Sequence, residues 1–219
     1  MNLYPAALTR RLSAALFATS LLLGLTACNA SEPGTQTVST APQPGQPANP
    51  RVLLETSHGK LVVELFPNHA PQSTANFLEY VNSGFYDGLV FHRVIPGFMI
   101  QGGGMIPNLA ERATRAPIQN EADNGLKNLR GTLAMARTME PHSASSQFFI
   151  NVADNYGLNH RGKSVEGWGY AVFGQVVEGM AVADTIVAVP RGRAGPHSDV
   201  PKTPVLIHRA RVLPAAETK

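Results

Sequence analysis

Apolar residues fall in short runs along the chain, and the spacing within each run predicts its element. Val52–Thr56 and Lys60–Phe66 read as two strands about a short hairpin turn that holds Gly59. In "APQSTANFLEYVNSG" the period lengthens: Phe77, Leu78 and Val81 share a helical face, Pro71 suits the first turn and Gly84 the stop. Strand-like runs return at Leu89–Ile95, Phe98–Gln101, Gly131–Ala136, Gln147–Val152, Ala171–Val177 and Val205–Val212, with a second short helix over Gly179–Val187. No internal repeat appears. Many short strands separated by turn residues, with two helices among them, predict a mainly β fold: a closed antiparallel β-barrel plugged by helices, formed by residues 50–214 as one domain.

The first fifty residues follow another pattern. Arg10 and Arg11 precede a charge-free run from Leu12 to Leu25, the basic and apolar regions of a signal peptide. The run falls short of the roughly 20 apolar residues that a membrane span needs. It ends in Leu25-Thr26-Ala27-Cys28, which resembles a bacterial lipoprotein signal, cut before a cysteine that is then lipidated. Residues 1–27 are therefore expected to be removed and Cys28 to carry a lipid anchor to the membrane. Residues 28–49 are rich in Pro, Ser, Thr, Gly and Gln and predict a disordered linker spanning roughly 25 Å on average. Residues 215–219 form a short tail. Asn29, not aspartate, follows Cys28, so the expected location is the cell envelope: the outer membrane facing the periplasm, or the outer face of the plasma membrane in a single-membrane bacterium.

Composition narrows the partners. Hydrophobic residues make up 43% and charged residues 15%, enough apolar material for a core. Loss of residues 1–27 lowers Lys+Arg from 18 to 16 against 15 Asp+Glu, so the formal charge drops from +3 to about +1. No basic stripe remains, which excludes nucleic acid as an expected partner. Cys28 is the single cysteine, so no disulfide forms within the chain.

The candidate chemistry is sparse. The serines of "SSQFF" lack a Gly-x-Ser-x-Gly setting, the seven histidines have no metal-ligand spacing, and Gly102-Gly103-Gly104 is not followed by the Gly-Lys-Ser/Thr of a phosphate loop. No cofactor and no metal are implied. What stands out is "FHRVIPGFMIQGGG", an apolar stretch with a guanidinium in the middle. Apolar walls and one cationic donor suit the rotation of a peptide bond. The barrier is about 18–20 kcal/mol because amide resonance must be lost, and at proline the exchange takes tens of seconds or longer. A dry pocket for the pyrrolidine ring and a donor aimed at the prolyl nitrogen lower that barrier with no bond made or cut.

"FHRVIPGFMIQGG" and "ASSQFFI", with "GTLAMAR" and "GYAVFGQVVEGM", closely resemble the cyclophilins, the peptidyl-prolyl isomerase family, and its bacterial branch in particular. The resemblance runs from about Arg51 to Leu213. It implies an eight-stranded antiparallel barrel closed by two helices, prolyl isomerisation, and proline-containing peptides and unfolded exported proteins as partners of a monomer. It makes Arg93 the catalytic arginine, standing in a groove on the outer face of the barrel wall and not in the core, with Gln101 orienting it and the substrate backbone. Phe98, Met99, Phe149 and Leu158 become walls of the proline pocket, Ala136 and Arg137 a strand that holds the peptide through its backbone, and Gln147 a neighbour on the same surface. Three positions depart from the family pattern. Tyr170 stands where many members have a pocket-edge histidine, and Arg137 where many have asparagine, a change expected to be tolerated. Gly157 replaces an aromatic before the pocket leucine, with Tyr156 one residue earlier. The alternatives are a module that binds proline segments or holds unfolded chains with little turnover, and a structural lipoprotein of the envelope. Strand alternation places Met99 and Gln101 on one face and Phe98 on the other. His92, His142 and Trp168 are assigned structural roles.

Overall fold

A computed structural model describes residues 48–214; the expected signal peptide 1–27, Cys28, nearly all of the expected linker 28–49 and the tail 215–219 lie outside the described residues. Ten strands form: β1 (Arg51–Thr56), β2 (Gly59–Leu65), β3 (Leu89–Ile95), β4 (Met99–Gly102), β5 (Thr132–Met135), β6 (Phe148–Asn151), β7 (Val172–Glu178), β8 (Arg191–Ala194), β9 (His197–Pro201) and β10 (Val205–Val212). Eight of them close an antiparallel barrel in the order β1-β10-β3-β4-β6-β5-β7-β2, and β8 and β9 pair as a separate hairpin. The strands read from apolar runs are all present, and the ends of several shift by one residue. The β8–β9 hairpin does not follow from the apolar pattern, because "RGRA" and "HSDVP" bury little: only Val200 and Pro201 are buried.

Helix α1 (Pro71–Asn82) starts with proline in its first turn, and Ser73 N–H donates to the Glu121 carboxylate at 2.8 Å, which satisfies an otherwise orphan donor. Phe77, Tyr80 and Val81 turn inward, and Leu78 is half-buried beside them. Helix α2 (Met180–Val187) is shorter and buries Ala183, Ile186 and Val187. Val182 of α2 lies against Gly59 at one end of β2, whereas Phe77 of α1 stacks on Phe173, whose neighbour Gly174 pairs with Leu65 at the other end. The two helices therefore stop opposite mouths of the barrel. The interior is filled by Leu54, Leu61, Val63, Phe91, Ile100, Phe148 and Ile150 among others, with Tyr86 and Phe77 set against Phe148 at 5.5 and 5.4 Å between ring centroids.

A second apolar cluster lies on the outside of the wall. Met99, Ala134, Ala136, Phe149 and Val172 form it, with Ile95, Phe98, Leu126, Leu158 and Tyr170 packed against it. Each of its strands also feeds the interior: Ile100, Leu133 and Phe148 point inward from β4, β5 and β6. Period-two alternation thus gives this wall two dry faces. The described chain enters at β1 and leaves at β10, and Leu213 N–H donates to the Arg51 carbonyl at 2.8 Å, so both ends sit side by side on one seam.

Candidate active site

The segment Leu89–Ile95 places Leu89 and Phe91 in the core, two residues apart as a strand requires. Strict continuation would put Arg93 inside as well. It does not go there, because the ladder slips: Phe91 pairs with Gly102, but Arg93 pairs with Gln101. Two residues of β3 face one of β4, and His92 is the extra one. This bulge inverts the phase, so Val94 now points into the core and Arg93 stands outside.

Arg93 is half-buried, and among the described residues no hydrogen bond or ion pair engages its guanidinium. It opens onto a groove of about 410 Å³ on the outer wall. All ten residues singled out in the sequence line this groove: Arg93 and Gln101 with Phe98, Met99 and Phe149 on the β4–β6 side, and Ala136, Arg137, Gln147, Leu158 and Tyr170 around the rest. Phe98 sits on the same side as Met99, contrary to the alternation rule. It precedes β4, in the turn closed by its own N–H to the Ile95 carbonyl at 3.1 Å, so strand alternation does not reach it. Phe149 meets Tyr170 edge-on at 5.7 Å between centroids.

Gln101 does not hydrogen-bond to Arg93. Its Nε2 donates to Oε1 of Gln147 at 2.9 Å, leaving the Gln101 carbonyl oxygen as an acceptor. The glycine run makes that pairing possible: a Cβ on Gly104 would lie 2.5–2.7 Å from the Gln147 side chain. Backbone groups complete one edge. The Ala136 carbonyl and the Arg137 N–H have no partner among the described residues, while the Ala136 N–H is held by the Gln147 carbonyl at 2.9 Å.

Five further residues line the groove: His92, Met105, Pro196, His197 and Ser198. The last three come from the β8–β9 hairpin; the Gly195-Pro196 turn is its one sequence signal. Tyr156 points away, 63% exposed, with its hydroxyl donating to Asp154 at 3.3 Å. Gly157 borders open space, where a Cβ would touch nothing within 4 Å. Among the described residues no group of three or more His, Cys, Asp or Glu side chains is placed to hold a metal ion.

A family model described as cyclophilin type peptidyl-prolyl cis-trans isomerase/CLD matches residues 51–212. The chain belongs to the cyclophilin family. Among cyclophilins it is 56% identical over 161 residues to peptidyl-prolyl cis-trans isomerase B of Escherichia coli strain K12, covering 74% of this chain and 98% of that one. It is 57% identical over 162 residues to peptidyl-prolyl cis-trans isomerase cyp18 of Streptomyces antibioticus, covering 74% and 98%. A crystal structure of a Cryptosporidium parvum cyclophilin type peptidyl-prolyl cis-trans isomerase superposes with a TM-score of 0.62 at 29% identity, over 76% of this chain and 98% of that one. A second structure of that protein, in the presence of the dipeptide Ala-Pro, matches equally well over 75% and 99%. The activity of this chain is accordingly peptidyl-prolyl cis-trans isomerisation, carried on the closed eight-stranded barrel with its two helices.

His92 gives this cyclophilin a pH signature. The ring is 6% exposed and its Nδ1 has no hydrogen-bond partner. Burial, then the nearby His197 and Arg93, hold its pKa down from 6.5 to about 4. The unfolded chain takes up this proton below pH 6.5 and the folded chain only near pH 4, so the stabilisation is full above pH 6.5 and is lost as the pH falls through that window. Urea unfolding at pH 7 and pH 5 is expected to differ by about 2 kcal/mol more in the parent than in His92→Gln. An equal pH response in both would remove His92 as the cause.

Proposed function

We propose that the Phe98, Met99, Phe149, Leu158 and Tyr170 notch receives the proline ring of an extended peptide and that Arg93 is the catalytic group. As the Xaa-Pro bond rotates, amide resonance is lost and the nitrogen lone pair localises. The Arg93 guanidinium donates an N–H to that lone pair, an interaction that exists only near the transition state and so lowers the barrier without tightening the ground state. The observation that carries this reading is the guanidinium itself: half-buried at the edge of an apolar notch, and engaged by no carboxylate or carbonyl among the described residues. Gln101, steadied by Gln147, offers its carbonyl oxygen to the substrate backbone. The unpaired Ala136 carbonyl and Arg137 N–H hold the peptide as an added strand. The reaction consumes no proton and breaks no bond. The test is isomerisation of a proline peptide by residues 48–214 with and without Arg93→Ala.

The clients we propose are unfolded exported proteins, met at the envelope by a chain anchored through Cys28. The "LTAC" stretch and the charge-free run before it support this. Expression of the full chain in a bacterium should place it in the membrane fraction, and Cys28→Ala should move it to the soluble fraction. Membrane retention of Cys28→Ala would dispose of the lipid anchor.

A further inference from the structure

Arg137 is the residue for which backbone use alone leaves most unexplained. Its Nε donates to the Gly169 carbonyl at 2.9 Å, and one terminal nitrogen donates to the Thr138 and Met139 carbonyls at 2.9 and 3.2 Å. The guanidinium carbon lies 4.8 Å from the centre of the Tyr170 ring. One planar cation therefore joins three things: the segment after β5, the turn at Gly169, and the aromatic edge of the groove.

The Gly169 turn is itself fixed from several sides. Its carbonyl also accepts from Asn120 Nδ2 at 3.1 Å. Its φ of +72° is left-handed, and a Cβ there would lie 2.6–2.7 Å from the backbone of Leu158, Asn159 and His160. Tyr170 N–H donates to the Leu158 carbonyl at 2.9 Å, and the Tyr170 ring meets Phe149 edge-on. The chain of contact runs from Arg137 through Tyr170 to Phe149 and Leu158, the far walls of the notch.

We propose that Arg137 is a positioning residue whose side chain sets the affinity of the pocket for its peptide by fixing Tyr170, while leaving turnover to Arg93. The proposal rests on the reading of the notch as the proline pocket. It replaces the expectation that this departure from asparagine is tolerated. A lysine cannot reproduce the role, because an ammonium is a point donor without the planar fork that reaches carbonyls on two segments and stacks on a ring.

Affinity and exchange rate of a bound proline peptide are measured separately by nuclear magnetic resonance titration and line shape. For Arg137→Ala the dissociation constant should rise about tenfold, with the bound-state exchange rate held within about twofold. Arg137→Lys should resemble Arg137→Ala. The double variant Arg137→Ala/Tyr170→Ala should match Tyr170→Ala, since residues acting through one another do not add. The single tryptophan, Trp168, adjoins Gly169 and stacks edge-on with His142 at 4.8 Å, so its emission reports whether the turn has loosened. Parent-like affinity in Arg137→Ala, full rescue by lysine, additive losses in the double variant, or a fall in exchange rate at unchanged affinity would each overturn the assignment. If Arg137→Ala does not fold, Arg137→Gln, which keeps part of the hydrogen bonding, is read by the same criteria. Arg93→Ala in the same assay tests the catalytic reading independently, because it should depress exchange rate and spare affinity.

Discussion

Arg93→Ala should lower kcat/KM for a proline peptide by about 10²–10³-fold, the loss usual when one preorganised donor is removed from a reacting centre. The fold should be unaffected. Arg93 stands on the outer wall, carries no hydrogen bond or ion pair among the described residues, and leaves no buried partner behind when truncated. Urea midpoints of parent and variant should therefore agree within about 0.5 kcal/mol, as for ordinary surface changes. Arg93→Lys should recover little, because a flexible ammonium does not present the guanidinium fork at the same place. Full activity in Arg93→Ala at unchanged stability would show that rotation is driven by the apolar notch alone. Burial keeps His92 uncharged at neutral pH, so the bulged neighbour brings no second cation against Arg93.

The second large effect belongs to two adjacent glycines with opposite consequences. Gly103 has φ +85°, and a Cβ there would lie 2.9 Å from the Phe148 ring and 3.0 Å from the Ser146 carbonyl. Phe148 is a buried core ring and Ser146 is buried, so neither yields. Gly103→Ala should cost about 2–4 kcal/mol of stability from the left-handed backbone and the overlap together. The three atoms nearest a Cβ on Gly104 all belong to the Gln147 side chain, which can swing away. Gly104→Ala should keep the fold, break the Gln101–Gln147 pair and lower kcat/KM roughly fivefold, the equivalent of one hydrogen bond. Chemical unfolding and isomerisation assays on both variants separate the two glycines. A stability loss in Gly104→Ala matching that in Gly103→Ala would contradict this division.

Much of the barrel was legible because each strand carries its own apolar run, and a run needs no knowledge of its neighbours. The family motif supplied the ten candidate residues, and all ten line one groove. Three features lay beyond reach for physical reasons. The resemblance implies that Arg93 faces outward, but the bulge at His92 that turns it there depends on how β3 meets β4, and "FHRVI" alone is compatible with either side. The side taken by Phe98 depends on where the Pro96-Gly97 turn hands over to the strand. The β8–β9 hairpin is held to the barrel while burying few apolar side chains, so Pro196, His197 and Ser198 gave no periodic signal. The side-chain role of Arg137 was hidden for a related reason. Its acceptors are backbone carbonyls, which every residue possesses and no sequence advertises.

In the ring of eight strands, β6 is the fourth neighbour of β1 in either direction. The seam where Arg51 meets Leu213 therefore backs onto the side of the cylinder away from the groove. A resin, a fluorescent tag or a second enzyme grafted at either end of residues 48–214 would hang behind the barrel and leave the groove open.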